Sequence, residues 1–258
     1  MENLKNKRLG LEKKNNQGCV MKIVEYNSAK DLIVEFQDEH KFKVRGRFAH
    51  FQDGGIRNPY FKSVYGVGFT GNITTKRNGQ DSKEYKTWHG MLERCFDEKY
   101  KIRYSTYKNV TCCDEWLCFE NFYKWLHEQE NFEKWLNREG WNLDKDILIK
   151  GNKIYSPETC TLVSEAINSL FIRRDEYRGE YPIGVHFHKA KNKFISQCAK
   201  NSKLINLGEY ETSEEAFYAY KQYKENLIKE IANEEFKKGN ITEKCYNAMM
   251  AYEVEITD

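Results

Sequence analysis

No run of about eighteen apolar residues occurs in the chain, so no helix is expected to span a membrane. No apolar leader opens it, and a cytoplasmic protein is the expectation. No C-x-x-C pair occurs among the eight cysteines. Thiols of an intracellular protein stay reduced, which argues against disulfides. The adjacent pair Cys112-Cys113 is poorly spaced for chelation, so buried thiols are expected rather than zinc ligands. No repeat of fixed period and no low-complexity tract is visible. Charged residues at 31% and aromatics at 14% argue for folded domains rather than disorder. A length of 258 residues leaves room for two or three of them.

Acidic residues are missing altogether from Tyr181 to Gly208, a stretch with five lysines and two histidines. The net charge of +3 hides this local excess, because seven acids against four lysines follow from Lys229 to the end. Within the basic stretch Val185 and Phe187 alternate with His186 and His188. Phe194, Ser196 and Cys198 alternate with Lys193, Ile195, Gln197 and Ala199. Ile205 and Leu207 alternate with Leu204 and Asn206. A period of two puts one set into a core and the other on an outer face. Lys191-Asn192 and Asn201-Ser202 sit where hairpin turns belong. Ser213 is read as the N-cap of a following helix, with Glu214 and Glu215 at its positive end. Ala216, Phe217, Ala219, Tyr220, Tyr223, Leu227 and Ile231 then recur at helical spacing and give the sheet something to pack on.

The string Ile183-Gly184-Val185-His186-Phe187-His188, then Lys193-Phe194, Leu207-Gly208-Glu209-Tyr210-Glu211-Thr212, Glu214-Glu215-Ala216 and Ala219-Tyr220 resembles the Apetala-type (ethylene-response-factor) DNA-binding domain. That domain is also found in phage and mobile-element endonucleases. The resemblance covers about fifty residues, the size of a small module. It implies that the outer face of the sheet enters the major groove of duplex DNA. His186, His188, Gln197 and Asn206 would then face bases, and Lys189, Lys193, Lys200 and Lys203 phosphates. The family carries arginines where this chain has His186 and His188. Neutral imidazole lacks the paired donors with which arginine reads guanine. The competing reading is a small protein-binding sheet with solvated lysines.

Toward the N-terminus, Val20–Tyr26, Asp31–Phe36 and His40–Arg45 are rich in β-branched and aromatic residues and read as strands of a small sheet or barrel. Gly66-Val67-Gly68 lacks the third glycine and the helix of a phosphate loop. Lys5, Lys7, Arg8, Lys13 and Lys14 form a basic arm, of a kind that touches phosphates or is simply solvated. The polar stretch 76–83 reads as a linker. Tyr85, Trp88, Met91, Leu92 and Cys95 then fall at helical spacing. Asp114 can cap a second helix with Leu117, Phe119, Phe122 and Trp125. Helical spacing favours core packing over base stacking for these aromatics.

Further on, Leu143-Asp144-Lys145-Asp146 is read as the start of a strand through Ile149. Gly151-Asn152 gives a turn, Tyr155–Cys160 a return, and Val163–Phe171 a helix. Together with Trp88, Met91, Arg94-Cys95, Cys113, Glu115-Trp116, Phe119, Phe122, Cys160 and Asn168, this ββα outline resembles HNH-type homing endonucleases. The resemblance implies one divalent ion, magnesium or manganese, with Asp144 and Asn168 on the metal side, acting on a phosphodiester. Lys145 occupies the place of the family's general-base histidine, and no histidine occurs between His127 and His186. A protonated lysine cannot accept water's proton. Lys145 and Asp146 remain the candidate catalytic groups. Otherwise Asp144 and Asp146 are acids beside a turn.

The expected architecture is α+β. It comprises a basic arm (1–17), a small β-barrel-like module (18–75), and an HNH-like helical and ββα domain (84–171). An arginine-rich link (172–180), an Apetala-type sheet with one helix (181–235) and an acidic tail (236–258) complete it. The expected function is duplex DNA binding by a phage or mobile-element protein in the host cytoplasm. Two alternatives stand beside it: a metal-dependent endonuclease, and a phage inhibitor that binds a host protein.

Overall fold

A computed structural model describes residues 6–171, 180–200 and 203–258. The link through residue 179 and the turn at Asn201-Ser202 lie outside the described residues. The chain is α+β and divides into two compact units, Met1–Lys124 and Trp125–Asp258. Among the described residues no helix is long and apolar enough to cross a membrane.

The first unit opens with an antiparallel sheet of order β1-β2-β3-β4: Glu12–Lys14, Val20–Ser28, Asp31–Phe36 and Lys43–Gly46. Alternation sends Met21, Ile23, Leu32, Val34 and Phe36 into one core with Phe51 of the short helix α1 (Phe48–Gln52). The basic arm is built into this sheet from Arg8 onward. The Arg8 guanidinium lies 3.7 Å from the Phe48 ring centre and donates to Tyr26 Oη at 2.6 Å. Lys13 Nζ donates to the Gln52 carbonyl.

The stretch 76–83, read as a linker, contains a hairpin of β5 (Lys76–Arg77) and β6 (Gln80–Asp81). Asn78 and Gly79, with φ of 52° and 78°, make its turn. Ser82 then caps α2 (Lys83–Phe96) by accepting from the Tyr85 amide. Trp88 on α2 is fully buried and donates from Nε1 to the Trp116 carbonyl at 2.7 Å. Phe119 and Phe122 of α4 (Phe119–His127) complete this aromatic core. Gly68 lets the chain approach closely here: a Cβ on it would lie 2.4 Å from Leu92 Cδ1 and 3.1 Å from the Trp88 ring. Between α2 and α4 lie α3 (Glu98–Arg103), a 3-10 turn at Ser105–Tyr107 and β7 (Thr111–Cys112).

In the second unit, α5 (Phe132–Asn137) precedes an antiparallel pair, β8 (Trp141–Asp144) with β10 (Thr161–Ser164). The short strand β9 (Ile154–Tyr155) lies in the intervening loop, and α6 (Glu165–Phe171) follows β10 directly. The strand expected to start at Leu143 therefore starts earlier and ends at Asp144. The reason is local: Asp144 Oδ1 accepts from the amides of Asp146 and Ile147 at 2.9 and 2.8 Å, and this turns the chain.

The C-terminal sheet has order β11-β12-β13: Val185–His188, Lys193–Lys200 and Lys203–Tyr210. Helix α7 (Ser213–Lys237) follows, with Thr212 rather than Ser213 as N-cap. Thr212 Oγ1 accepts from the Glu215 amide, and Glu215 accepts from the Thr212 amide, both at 3.2 Å. Its 25 residues serve two cores. Phe217, Tyr220 and Leu227 pack with Cys198 of the sheet. Ile228 and Ala232 pack with Ile147, Val163 and Ile167 of the ββα element. Residues 236–258, read as an acidic tail, contain α8 (Glu243–Met250), whose Cys245 and Met249 close the second of these cores. Asp258 is buried and paired with Lys150 at 2.9 Å.

Candidate nucleic-acid interface and acidic corner

Register fixes the two faces of the C-terminal sheet. Val185 faces Ser196 and His186 faces Ile195 across β11 and β12. Ser196 is fully buried and Cys198 almost so, with α7 on their side. His186, His188, Lys193, Ile195 and Gln197 therefore share the opposite, outer face. Gly184 seats β11 on the helix: it takes φ of 77°, and a Cβ there would lie 2.1 Å from the Tyr220 ring. No side chain other than hydrogen fits that approach.

Between β12 and β13 the register shifts: Ser196 faces Gly208 while Gln197 faces Asn206, leaving Leu207 as the extra residue of a bulge. Asn206 Oδ1 accepts from the Gly208 amide at 3.0 Å and holds the bulge in place. The shift inverts parity along the rest of β13. Glu209 comes to the outer face opposite Ile195, where it pairs with Lys191. Glu211 pairs with Lys193. Lys191 therefore holds the Glu209 carboxyl below its usual range, through its hydrogen bond and its charge. A stretch without acids in sequence thus acquires two acids in space.

The expected base- and phosphate-facing residues separate accordingly. His186, His188, Lys193, Gln197 and Asn206 lie together on the outer face, and Lys189 is exposed in the adjoining turn. His188 Nδ1 accepts from the Lys191 amide at 3.3 Å. Lys200 and Lys203 face each other in the register on the helix side, away from the outer face. Lys200 is paired with Glu230 of α7 at 3.0 Å and lines a cavity of about 860 Å³ between α6, the sheet and α7. Lys224 lines the same cavity, and burial lowers its ammonium's pKa. Ile195, in the middle of the outer face, is only 5% exposed, whereas Leu204 near the strand end is 66% exposed.

The second candidate is the corner after β8. Asp144 and Lys145 are both buried. Lys145 Nζ lies 3.1 Å from Asp146 Oδ2 and 5.9 Å from the Tyr155 ring centre. Its carbonyl accepts from Asn152 Nδ2 at 2.7 Å, and the same amide donates to the Ile154 carbonyl. Burial first, and then the charge of Asp146, push the Asp144 carboxyl up to about 6, against the pull of its two amide donors and of Lys145. Burial likewise raises the nearby Cys160 thiol, and the Cys245 thiol to about 12.

Asn168 is half-buried on α6, and among the described residues no hydrogen bond joins it to Asp144. Among the described residues no three His, Cys, Asp or Glu side chains converge as ligands of an ion. One oxygen of Asp144 is committed to two amides, and a lysine ammonium takes the neighbouring acid. The carboxylate oxygens left over for an ion at this corner are few.

No protein-family model, curated protein or solved structure matches this chain. The functional reading therefore stands on the residues themselves.

Proposed function

We propose that the chain binds duplex DNA through the outer face of β11-β12-β13. The observation that carries this is the division of the sheet: α7 fills one side, while His186, His188, Lys193, Gln197 and Asn206 share the other. Three strands about 4.8 Å apart make a ribbon roughly 10 Å across, and the major groove is about 12 Å wide. Imidazole, carboxamide and ammonium groups supply donors and acceptors for base edges. The sequence resemblance to Apetala-type domains supports the same placement.

Lys191 and Lys193 are engaged with Glu209 and Glu211, so phosphates compete with carboxylates for them. Exposed pairs of this kind contribute about 0–1 kcal/mol, and a polyanion can displace them. Affinity should be modest and should fall steeply with salt. The test is selection of bound sequences from a random duplex pool, followed by titration of the selected duplex at several salt concentrations. Lys189→Ala with Lys193→Ala should weaken all duplexes alike and flatten the salt slope. His186→Ala with Gln197→Ala should erase the preference among sequences. Salt-independent binding, or a tight protein complex indifferent to competing DNA, overturns the reading.

A further inference from the structure

The stretch 99–108 holds four cations, Lys99, Lys101, Arg103 and Lys108, and three tyrosines, with no acid. It lies in the first unit, apart in sequence from the sheet just described. Asp97 caps α3 by accepting from the Tyr100 amide at 2.9 Å, and the 3-10 turn continues the coil through Tyr107. The chain is then anchored by Val110, which is fully buried. None of the α3 residues is buried.

What this segment shows to solvent is an aromatic cluster edged with positive charge. The Tyr100 ring centre lies 4.7 Å from that of Tyr104 and 5.6 Å from that of Tyr107. The Arg103 guanidinium sits 5.2 Å from the Tyr104 ring centre. Tyr104 is 39% exposed and Ile102 83% exposed. Among the described residues Lys99, Lys101, Arg103 and Lys108 make no ion pair, in contrast to Lys191, Lys193 and Lys200 of the sheet. A tyrosine cluster is ordinarily used to fill a core. Here the rings pack on one another at the surface, and among the described residues the cations beside them are held in no ion pair, although Glu98 starts the same helix.

We propose that this surface binds single-stranded nucleic acid, with a base stacked at Tyr104 and phosphates held by Lys99, Lys101, Arg103 and Lys108. An unpaired base offers a π-face whatever its identity, and a flexible backbone can follow scattered cations. A duplex keeps its faces stacked inside and cannot use Tyr104. The Arg103 contact is no obstacle. An exposed cation–π contact is weaker than base–aromatic stacking, and a displaced guanidinium can lie on the base instead.

The test uses the full chain and labelled oligothymidylate and oligouridylate of about 16 nucleotides, read by fluorescence anisotropy. Tyr104→Ala should weaken binding on the order of tenfold. Tyr104→Phe should bind like the wild type, because the ring does the stacking. A variant with all four cations changed to glutamine should lose most binding and most of its salt dependence. Thermal unfolding checks that each variant is folded. Equal affinity for the two oligomers places the selectivity in ring and charge. A preference for oligouridylate assigns the site to RNA. No binding of either oligomer by the wild type overturns the proposal. So does wild-type affinity in Tyr104→Ala, which would leave only diffuse electrostatics. The duplex-binding variant Lys189→Ala with Lys193→Ala should leave oligomer binding unchanged, so the two surfaces fail or succeed separately.

Discussion

The corner at Asp144-Lys145-Asp146 and the outer face of the C-terminal sheet both pair lysines with acids, yet the pairs differ in kind. Lys145 has a side chain 10% exposed, while its partner Asp146 is 40% exposed. Lys191 is 51% exposed on the sheet and its partner Glu209 38%. Only the cations differ in their access to water, because the two carboxylates are about equally exposed. A desolvated ion must keep its partner, because an orphaned buried charge costs several kcal/mol. A hydrated pair gives up its partner for about 0–1 kcal/mol. Lys145 is therefore the cation more costly to strand, and the sheet pairs are the ones that open readily.

The largest effect should come from removing the frame that presents the outer face. Gly184→Ala forces a Cβ into the Tyr220 ring at a φ that L-residues avoid. A loss of about 3 kcal/mol or more is expected in denaturant unfolding, with loss of duplex binding. Next, Lys145→Ala should cost about 1–2 kcal/mol, because the buried Asp144 loses a neighbouring cation while the half-exposed Asp146 stays solvated. Lys193→Ala should change stability by less than about 0.5 kcal/mol. Equal effects of these two lysine changes would erase the contrast drawn above.

A third outcome depends on pH. Burial raises the Asp144 carboxyl to about 6 when folded. The unfolded value is near 4. The folded state thus holds the proton more tightly. Its contribution is fully present below about pH 4 and is lost as pH rises through 6. Asp144→Asn should keep the amide-accepting oxygen and carry no charge. The variant should match the wild type near pH 4 and exceed it by about 2 kcal/mol above pH 7. Thermal melts across that range check this, and a wild type whose stability does not fall between pH 4 and 7 would contradict it. The smallest effect should follow from Glu209→Gln with Glu211→Gln. The denaturant midpoint should stay where it is in the wild type, while duplex affinity at low salt rises a few-fold.

The parts legible in the sequence are those governed by one period at a time. Val185, Phe194, Ser196 and Cys198 alternate as expected, and Phe217, Tyr220 and Leu227 mark the face of α7 that meets them. Asn78-Gly79 carried the signal of a hairpin inside the supposed linker, since that dipeptide accepts positive φ at both positions. Other features depend on contacts no period encodes. The bulge at Leu207 reverses which residues of β13 face outward, so Glu209 arrives beside Lys191 against the simple alternation. Lys200 looks like a phosphate contact until Glu230, thirty residues on, is brought beside it. Asp144 ends a strand because its own side chain bonds the next two amides but one. Residues 236–258 look like a tail because the apolar Cys245, Met249 and Val254 are spread thinly among charges.

Helix α7 limits how this chain can be recombined. Small DNA-binding modules are readily exchanged between proteins when the cut points fall in exposed linkers. Here a cut near residue 235 would carry Ile241, Cys245 and Met249 away from Ile147, Val163, Ile167, Ile228 and Ala232, which share one core with them. Both fragments would expose fresh apolar surface, and each would need new covering or would aggregate. A transplant that keeps this core whole has to carry the ββα element, α7 and α8 together. Gene fusions that borrow the sheet inherit the ββα element with it, whether or not they need it.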